Sequence, residues 1–327
     1  MAQRILRGTS GGAVLIFQEF AVEPAAVAAS WQQFQYVTEK FGFDTGRLIS
    51  RFPSHWMREV WEIVRDCDGI GAIQKKRIEE KLAKFKNTKL IKSRRNYDGG
   101  GTWLERAETQ HQLAAFHAVI ACANPRKRDY VACVDELDEE KPPLSTILQD
   151  DNPKVMRTAD ALAASLTLLL ENSREILFVD RFFNPAYDRW RNPLKHFLQV
   201  ATSYSRKLRR CEYHLEDSDD RPNSDFFHTQ CKQLIPRCIP VGMSMRIIRW
   251  KGIPDGLDLH PRFILTEVGG VHIDSGLDER RGADTIITPL NQNLWRTCWN
   301  EYQKGTSPFT FVDSVTITGS AKEPHST

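Results

Sequence analysis

No apolar run in this chain is long enough to span a bilayer; the longest, ALAASLTLLL at 161–170, has the length of a helix core. The apolar piece near the start, AVLIF, is too short for a signal core. No two cysteines stand in a CxxC pair, and the seven present (Cys67, Cys122, Cys133, Cys211, Cys231, Cys238 and Cys298) are an odd number. That argues against a zinc ribbon and a closed disulfide framework, and leads us to expect a reducing, cytoplasmic setting. His228, Cys231 and Cys238 lack the spacing of paired zinc knuckles, so no metal and no cofactor is expected. The glycine-rich NYDGGGT at 96–102 is not followed by Gly-Lys-(Ser/Thr), which excludes a P-loop and leaves a mobile-loop reading. Excess charge is small too: +3 over 327 residues, too little for the total to argue nucleic-acid binding.

The distribution of charge says more. Between Lys75 and Arg95 the chain carries ten basic residues against two glutamates. Ile78, Leu82 and Phe85 recur at helical spacing, which gives an amphipathic helix with a basic outer face. Lys75, Lys76, Lys84, Lys86, Lys89, Arg94 and Arg95 are its candidate polyanion-binding residues. The competing reading is a solvated face balanced by the acidic runs DELDEE at 135–140 and EDSDD at 216–220.

Pattern reading predicts a helix from Pro24 to about Lys40, stopped by Gly42 and the FDTGR loop, and a second after Pro53. The first 102 residues are expected as a mainly helical basic region. From Trp103 strands and helices alternate, with FHAVIACA and DYVACVDEL as the first two strands. This predicts an α/β domain over 103–310 with a mixed, mostly parallel sheet flanked by helices. Residues 311–327 read as a frayed tail. EILFVD has the pattern of a buried central strand ending in Asp180 and Arg181. CEYHL leads to Asp217, and SMRIIRW to Lys251. Ligands gather beyond the carboxyl ends of strands in such sheets, so these four residues, with Asp278, are expected to form a supporting rim. The competing role for Asp180 is an anchor for the following loop.

HPRFILTEVGGVHIDSGLD at 260–278 reads as a β-hairpin with Val268, Gly269 and Gly270 at the turn. Period-2 alternation aligns His260 and Arg262 on one face, an imidazole beside a guanidinium. The stretch resembles the phospholipase D-like signature, His-x-Lys, then Asp, then Gly-(Gly/Ser)-x-Asn. His260 matches the histidine, Arg262 stands at the lysine, Glu267 at the aspartate and Ser275 at the small residue. Asp274 and Leu277 depart from the glycine and the asparagine. It is more similar to a divergent branch, the phospholipase D-like domain at the C-terminus of MIT-domain proteins, through His260-Pro261-Arg262, Gly269-Gly270 and Gly276-Leu277-Asp278. Pro261 replaces that branch's aspartate. The resemblance spans roughly residues 150–300 and implies an α/β fold that binds phosphate-bearing surfaces.

An active enzyme of that superfamily needs two facing histidines, one as nucleophile and one as acid. A chain with one degenerate motif therefore needs a homodimer to supply both. Neither His214 nor His272 is followed by a basic residue at the required spacing. Three readings follow. The first is a phosphate- or nucleic-acid-binding module within a larger nucleic-acid-handling or defence assembly. The second is a homodimeric, metal-independent nuclease or phosphodiesterase using His260. The third is a peripheral module docking on acidic lipid. The first is preferred, because the asparagine and glycine positions of the active signature are lost.

Overall fold

The computed structural model describes residues 14–145, 154–203, 208–218, 221–252, 259, 261–303 and 305–321. The chain divides into two compact units, the first running from Phe17 to Asn152 and the second from Pro153 onward with Ala13–Ile16 added.

The first unit contains β1 (Gln18–Val22), α1 (Pro24–Ala28), α2 (Trp31–Glu39), β2 (Arg47–Ser50), α3 (Trp56–Asp66), α4 (Ala72–Thr88), β3 (Leu90–Ile91), α5 (Trp103–Leu113), β4 (Ala118–Ala121) and β5 (Val131–Cys133). Its strands form one parallel sheet in the order β3-β2-β1-β4-β5. The expected single helix from Pro24 breaks at Ser30, whose Oγ caps α2 by accepting from the Gln33 N–H at 3.1 Å. A buried cluster of Phe20, Phe34, Ile49, Trp56, Ile78, Leu82 and Phe85 joins helices to sheet. The Trp56 Nε1–H donates to the Val22 carbonyl at 2.6 Å and ties α3 to the end of β1.

This corrects two expectations. Residues 14–102 hold four helices, but also three strands that belong to a parallel sheet continued by β4 and β5, so the division falls at 152/153 rather than at 102. The strands β2 and β3 escaped the pattern because they are four and two residues long and buried throughout, so they show no alternation. The two strands expected after Trp103 do form, as β4 and β5, but they extend the sheet begun by β1.

The second unit contains β6 (Lys154–Met156), α6 (Ala159–Ser165), α7 (Thr167–Glu171), β7 (Glu175–Val179), α8 (Asp188–Thr202), β8 (Arg210–Glu216), α9 (Ser224–Leu234), β9 (Ser244–Lys251), β10 (Phe263–Thr266), β11 (Gly270–Ile273), β12 (Asp284–Pro289), α10 (Gln292–Glu301) and β13 (Thr310–Thr318). The eight strands are ordered β13-β9-β8-β7-β10-β11-β12-β6. Only β7, β8 and β9 run parallel, linked through α8 and α9; every other pairing is antiparallel.

The sheet is therefore mixed and mostly antiparallel, against the expectation of mostly parallel order. Short connections enforce this, since a turn as tight as Glu267–Gly269 can join only antiparallel neighbours. At that turn a Cβ on Gly270 would meet Leu265 Cδ2 at 2.8 Å and the Ile264 carbonyl at 3.2 Å, which explains the glycine by close approach. The expected tail is also corrected: its first part lies in β13, an edge strand paired along β9. The β-branched and aromatic composition of TFVDSVTIT supports that strand.

Candidate functional site

Topology brings three chain segments to one rim. β7 ends at Val179, and because β10 is antiparallel to it, Phe263 pairs with Val179. Asp180 and Arg262 therefore emerge side by side. β11 returns antiparallel to β10 and ends at the same rim, delivering the loop 274–283.

Asp180 organises that loop. It is 1 % exposed, and its two carboxylate oxygens accept the Phe182 and Leu277 N–H groups, each at 2.9 Å. Burial raises its carboxyl above the ordinary range, while those N–H groups and Arg262 pull it back. Gly276 beside it has φ +108°, and a Cβ there would meet Asp278 Oδ1 at 3.1 Å and Asp180 Oδ2 at 3.2 Å. The Gly276-Leu277-Asp278 triplet thus works as a folded corner. Gly276 supplies the turn, Leu277 a buried side chain and an N–H for Asp180, and Asp278 a carboxylate for Arg157.

Around this corner four arginines line a cavity of about 570 Å3, together with Phe182, Trp190, Ser275 and Glu279. Arg157, 7 % exposed, follows β6 and donates to Asp278 and to the Ser275 carbonyl, the latter at 3.0 Å. Arg189, in the first turn of α8, stacks its guanidinium 3.9 Å from the Trp190 ring and keeps Nε 3.8 Å from Asp278. Arg262 donates to the Asp274 carbonyl at 2.9 Å and lies 5.3 Å over Phe182. Arg280 is exposed at the edge. Of the carboxylates, Asp180 is committed to backbone, and Glu279 accepts from the Asn192 side chain and the Ala159 N–H.

Three buried donors on this lining have no partner: Arg157 Nε, Arg262 Nε and Trp190 Nε1, the last on a residue 5 % exposed. All three are sealed from solvent, so the cavity does not present them to a ligand; they are unsatisfied donors within the protein. Guanidinium groups bind oxyanions in bidentate fashion but do not take up or release protons near neutrality. The arrangement is equipped for gripping an anion. Among the described residues no histidine lines the cavity. His260, two positions before Arg262 in sequence, lies outside the described residues.

The other sequence candidates separate into those at the rim and those elsewhere. Arg262, Ser275, Asp180 and Asp278 meet at the cavity. Glu267 does not: it sits at the far end of β10, accepting the Arg174 and Glu175 N–H groups at 2.7 and 3.0 Å. Four strand residues at about 3.3 Å each hold it roughly 13 Å from the rim, so its place in the motif is a loop anchor. Arg181 pairs with Glu216 at 3.1 Å. Asp217 pairs at 2.8 Å with Arg249, a guanidinium 2 % exposed that also binds Asp313 and Ser224. Lys251 is exposed at the end of β9 and does not line the cavity.

The basic segment is also redistributed. Lys89 turns inward to donate to the Phe41 carbonyl, and burial lowers its ammonium. Arg95 is bound by Glu19 at 2.6 Å and by carbonyls at the end of α5. Lys75 donates to the Arg65 carbonyl at 2.6 Å. Lys76, Arg77, Lys84 and Lys86 remain exposed on α4, while Arg94 is exposed beyond β3.

Sequence reasoning missed Arg157, Arg189, Trp190 and Arg280. Arg189-Trp190 sits just inside α8, and the RW pair is a usable signal for a stacked guanidinium. Arg157 and Arg280 had none, since their convergence depends on β6 joining the far edge of the sheet beside β12. No helix among the described residues is long and apolar enough to cross a membrane. Comparison with protein-family models, with curated proteins and with solved structures gives no match to this chain.

Proposed function

We propose that the second unit is a phosphate-binding module that holds the backbone of a single-stranded nucleic acid, a degenerate phospholipase D-like site that grips without cleaving. The observation that carries this reading is the cavity at the end of β7, where the guanidinium groups of Arg157, Arg189, Arg262 and Arg280 converge. Two exposed aromatics favour nucleic acid over free phosphate. Phe182 is 46 % and Tyr187 57 % exposed, and each lies beside an arginine: Arg262 and Arg181 over Phe182, Arg189 over Tyr187. Backbone-tracking charge next to ring faces is the recurring arrangement of single-strand binders.

The motif's departures point the same way. An arginine stands where the superfamily has its lysine, the asparagine position is Leu277, and that side chain is buried in the corner rather than offered to a phosphoryl oxygen. The test follows binding and cleavage of labelled single- and double-stranded DNA and RNA in EDTA, using wild type, Arg262→Gln and His260→Ala. Binding to single strands without cleavage, weakened about tenfold or more by Arg262→Gln, is expected. Metal-free cleavage abolished by His260→Ala would replace this reading with the homodimeric phosphohistidine enzyme.

A further inference from the structure

A second cavity of the same unit, of about 420 Å3, lies on the sheet face covered by α10. Strand alternation puts Arg210 and Glu212 of β8, and Arg246, Ile248 and Trp250 of β9, on that face. Tyr213, next after Glu212, turns the other way to pack against Phe178 and Phe183. Tyr302, Phe309 and Phe311 complete the wall, with Gly305 and Ser307 at the mouth.

The wall is rigid at one point and open at another. The Trp250 Nε1–H donates to His214 Nδ1 at 2.9 Å, and the two rings lie parallel, 9° apart. Phe311 meets the Trp250 ring edge-on at 5.9 Å yet remains 51 % exposed. An aromatic so exposed beside a fixed indole is a ready partner for a flat ring. Arg246 is held by two hydrogen bonds to Ser314 Oγ, at 3.1 and 2.9 Å, and no carboxylate lies within ion-pair distance of it among the described residues. Glu212, the direct cross-strand neighbour of Arg246, is bound by Arg210 and lies 3.3 Å from His214 Nε2. The lining therefore combines ring surfaces with a guanidinium that, beside Glu212, forms no close ion pair among the described residues. The volume falls within the roughly 300–1,000 Å3 of small-molecule sites.

We infer that this cavity binds a mononucleotide, with the base against the exposed Phe311 ring and the phosphate on Arg246. The site shares no lining residue with the arginine cavity at the end of β7 and is independent of the function proposed for that cavity.

The test titrates the full chain by calorimetry with AMP, GMP, CMP and UMP, with adenosine, benzoate and inorganic phosphate as controls. Wild type is compared with Arg246→Gln, Phe311→Ala and Arg262→Gln. At least one mononucleotide is expected to bind more tightly than its parts. Arg246→Gln should weaken it about tenfold, and Phe311→Ala about fivefold or more. Arg262→Gln removes the phosphate grip proposed for the other cavity, so the binding that survives in that variant is the binding that Arg246→Gln and Phe311→Ala should weaken. The inference is overturned if no mononucleotide binds, if benzoate or adenosine binds as well as the nucleotide, or if neither cavity variant weakens binding. Loss with Arg262→Gln alone also overturns it. Both altered cavity side chains are partly exposed, and circular dichroism of each variant verifies its fold.

Discussion

Gly276 is the residue on which the rim geometry turns. Its φ of +108° lies in the region that penalises a side chain, and a methyl group there would press on both Asp180 and Asp278. Gly276→Ala should cost about 1–3 kcal/mol in urea unfolding. It should also weaken single-strand binding, because the corner that holds Asp278 against Arg157 would shift. Wild-type stability and affinity together in that variant would show that the corner is not needed. Asp180 belongs to the same argument. A carboxylate after a central strand was legible in the sequence, and both roles read for it, rim residue and loop anchor, are present in one side chain. Glu267 was legible only as a motif position. Its work is done at the opposite end of the strand, a distance that spacing along the chain cannot reveal.

At the scale of elements, β13 is fastened to the sheet by charge as well as by backbone pairing. Asp313 accepts from Arg249, and its carboxyl is held far below the usual range: burial opposes this, and Arg249, Ser224 and His228 outweigh it. Asp313→Ala would strip the principal carboxylate from a buried guanidinium and should destabilise the protein by about 3–5 kcal/mol, measured by urea unfolding. A loss under about 1 kcal/mol would mean that Asp217 alone suffices.

The β8–β9 layer gives a pH dependence. Burial pushes His214 below the ordinary 6.5, and a neutral ring is also what its geometry requires, because Nδ1 accepts from Trp250. Burial alone would raise Glu212, but His214 and Arg210 outweigh it and hold the group at about 2 rather than 4.5. Both folded-state values lie below the unfolded ones, so the unfolded chain binds more protons on the acid side. Stability should therefore fall as pH drops below about 6.5, as histidines charge in the unfolded state, and fall further between about 4.5 and 2 as Glu212 protonates. His111, His117 and His272 are displaced in the same direction and add to the first step. Urea midpoints at about pH 7.5, 5.5 and 3.5 measure this, and a midpoint that rises on acidification would contradict it. The long elements of this layer were plain in the sequence. β3 and β6, at two and three residues, were hidden because so short a stretch carries no period.

For the whole molecule, the sequence pointed to an α/β chain with an anion site near residues 260–278, and the structure has two α/β units with an arginine cavity at that place. What stayed illegible was strand order. Two of the four arginines come from segments more than a hundred positions apart, Arg157 and Arg280, and meet because β6 joins the sheet edge beside β12. Charge on the first unit has a separate consequence. If α4 tracks a nucleic-acid backbone, Lys84→Glu with Lys86→Glu should lower the slope of log affinity against log salt on single strands. The expected decrease is about 0.7 for each phosphate that the two lysines neutralise. An unchanged slope would confine α4 to a solvated face.

The measurement that bears most directly on the central claim is the affinity of the full chain for a labelled single-stranded oligonucleotide, in EDTA, against Arg262→Gln. The account predicts uncleaved strand and affinity reduced about tenfold or more by the substitution. Equal affinity in the two proteins, or no binding by either, would contradict it.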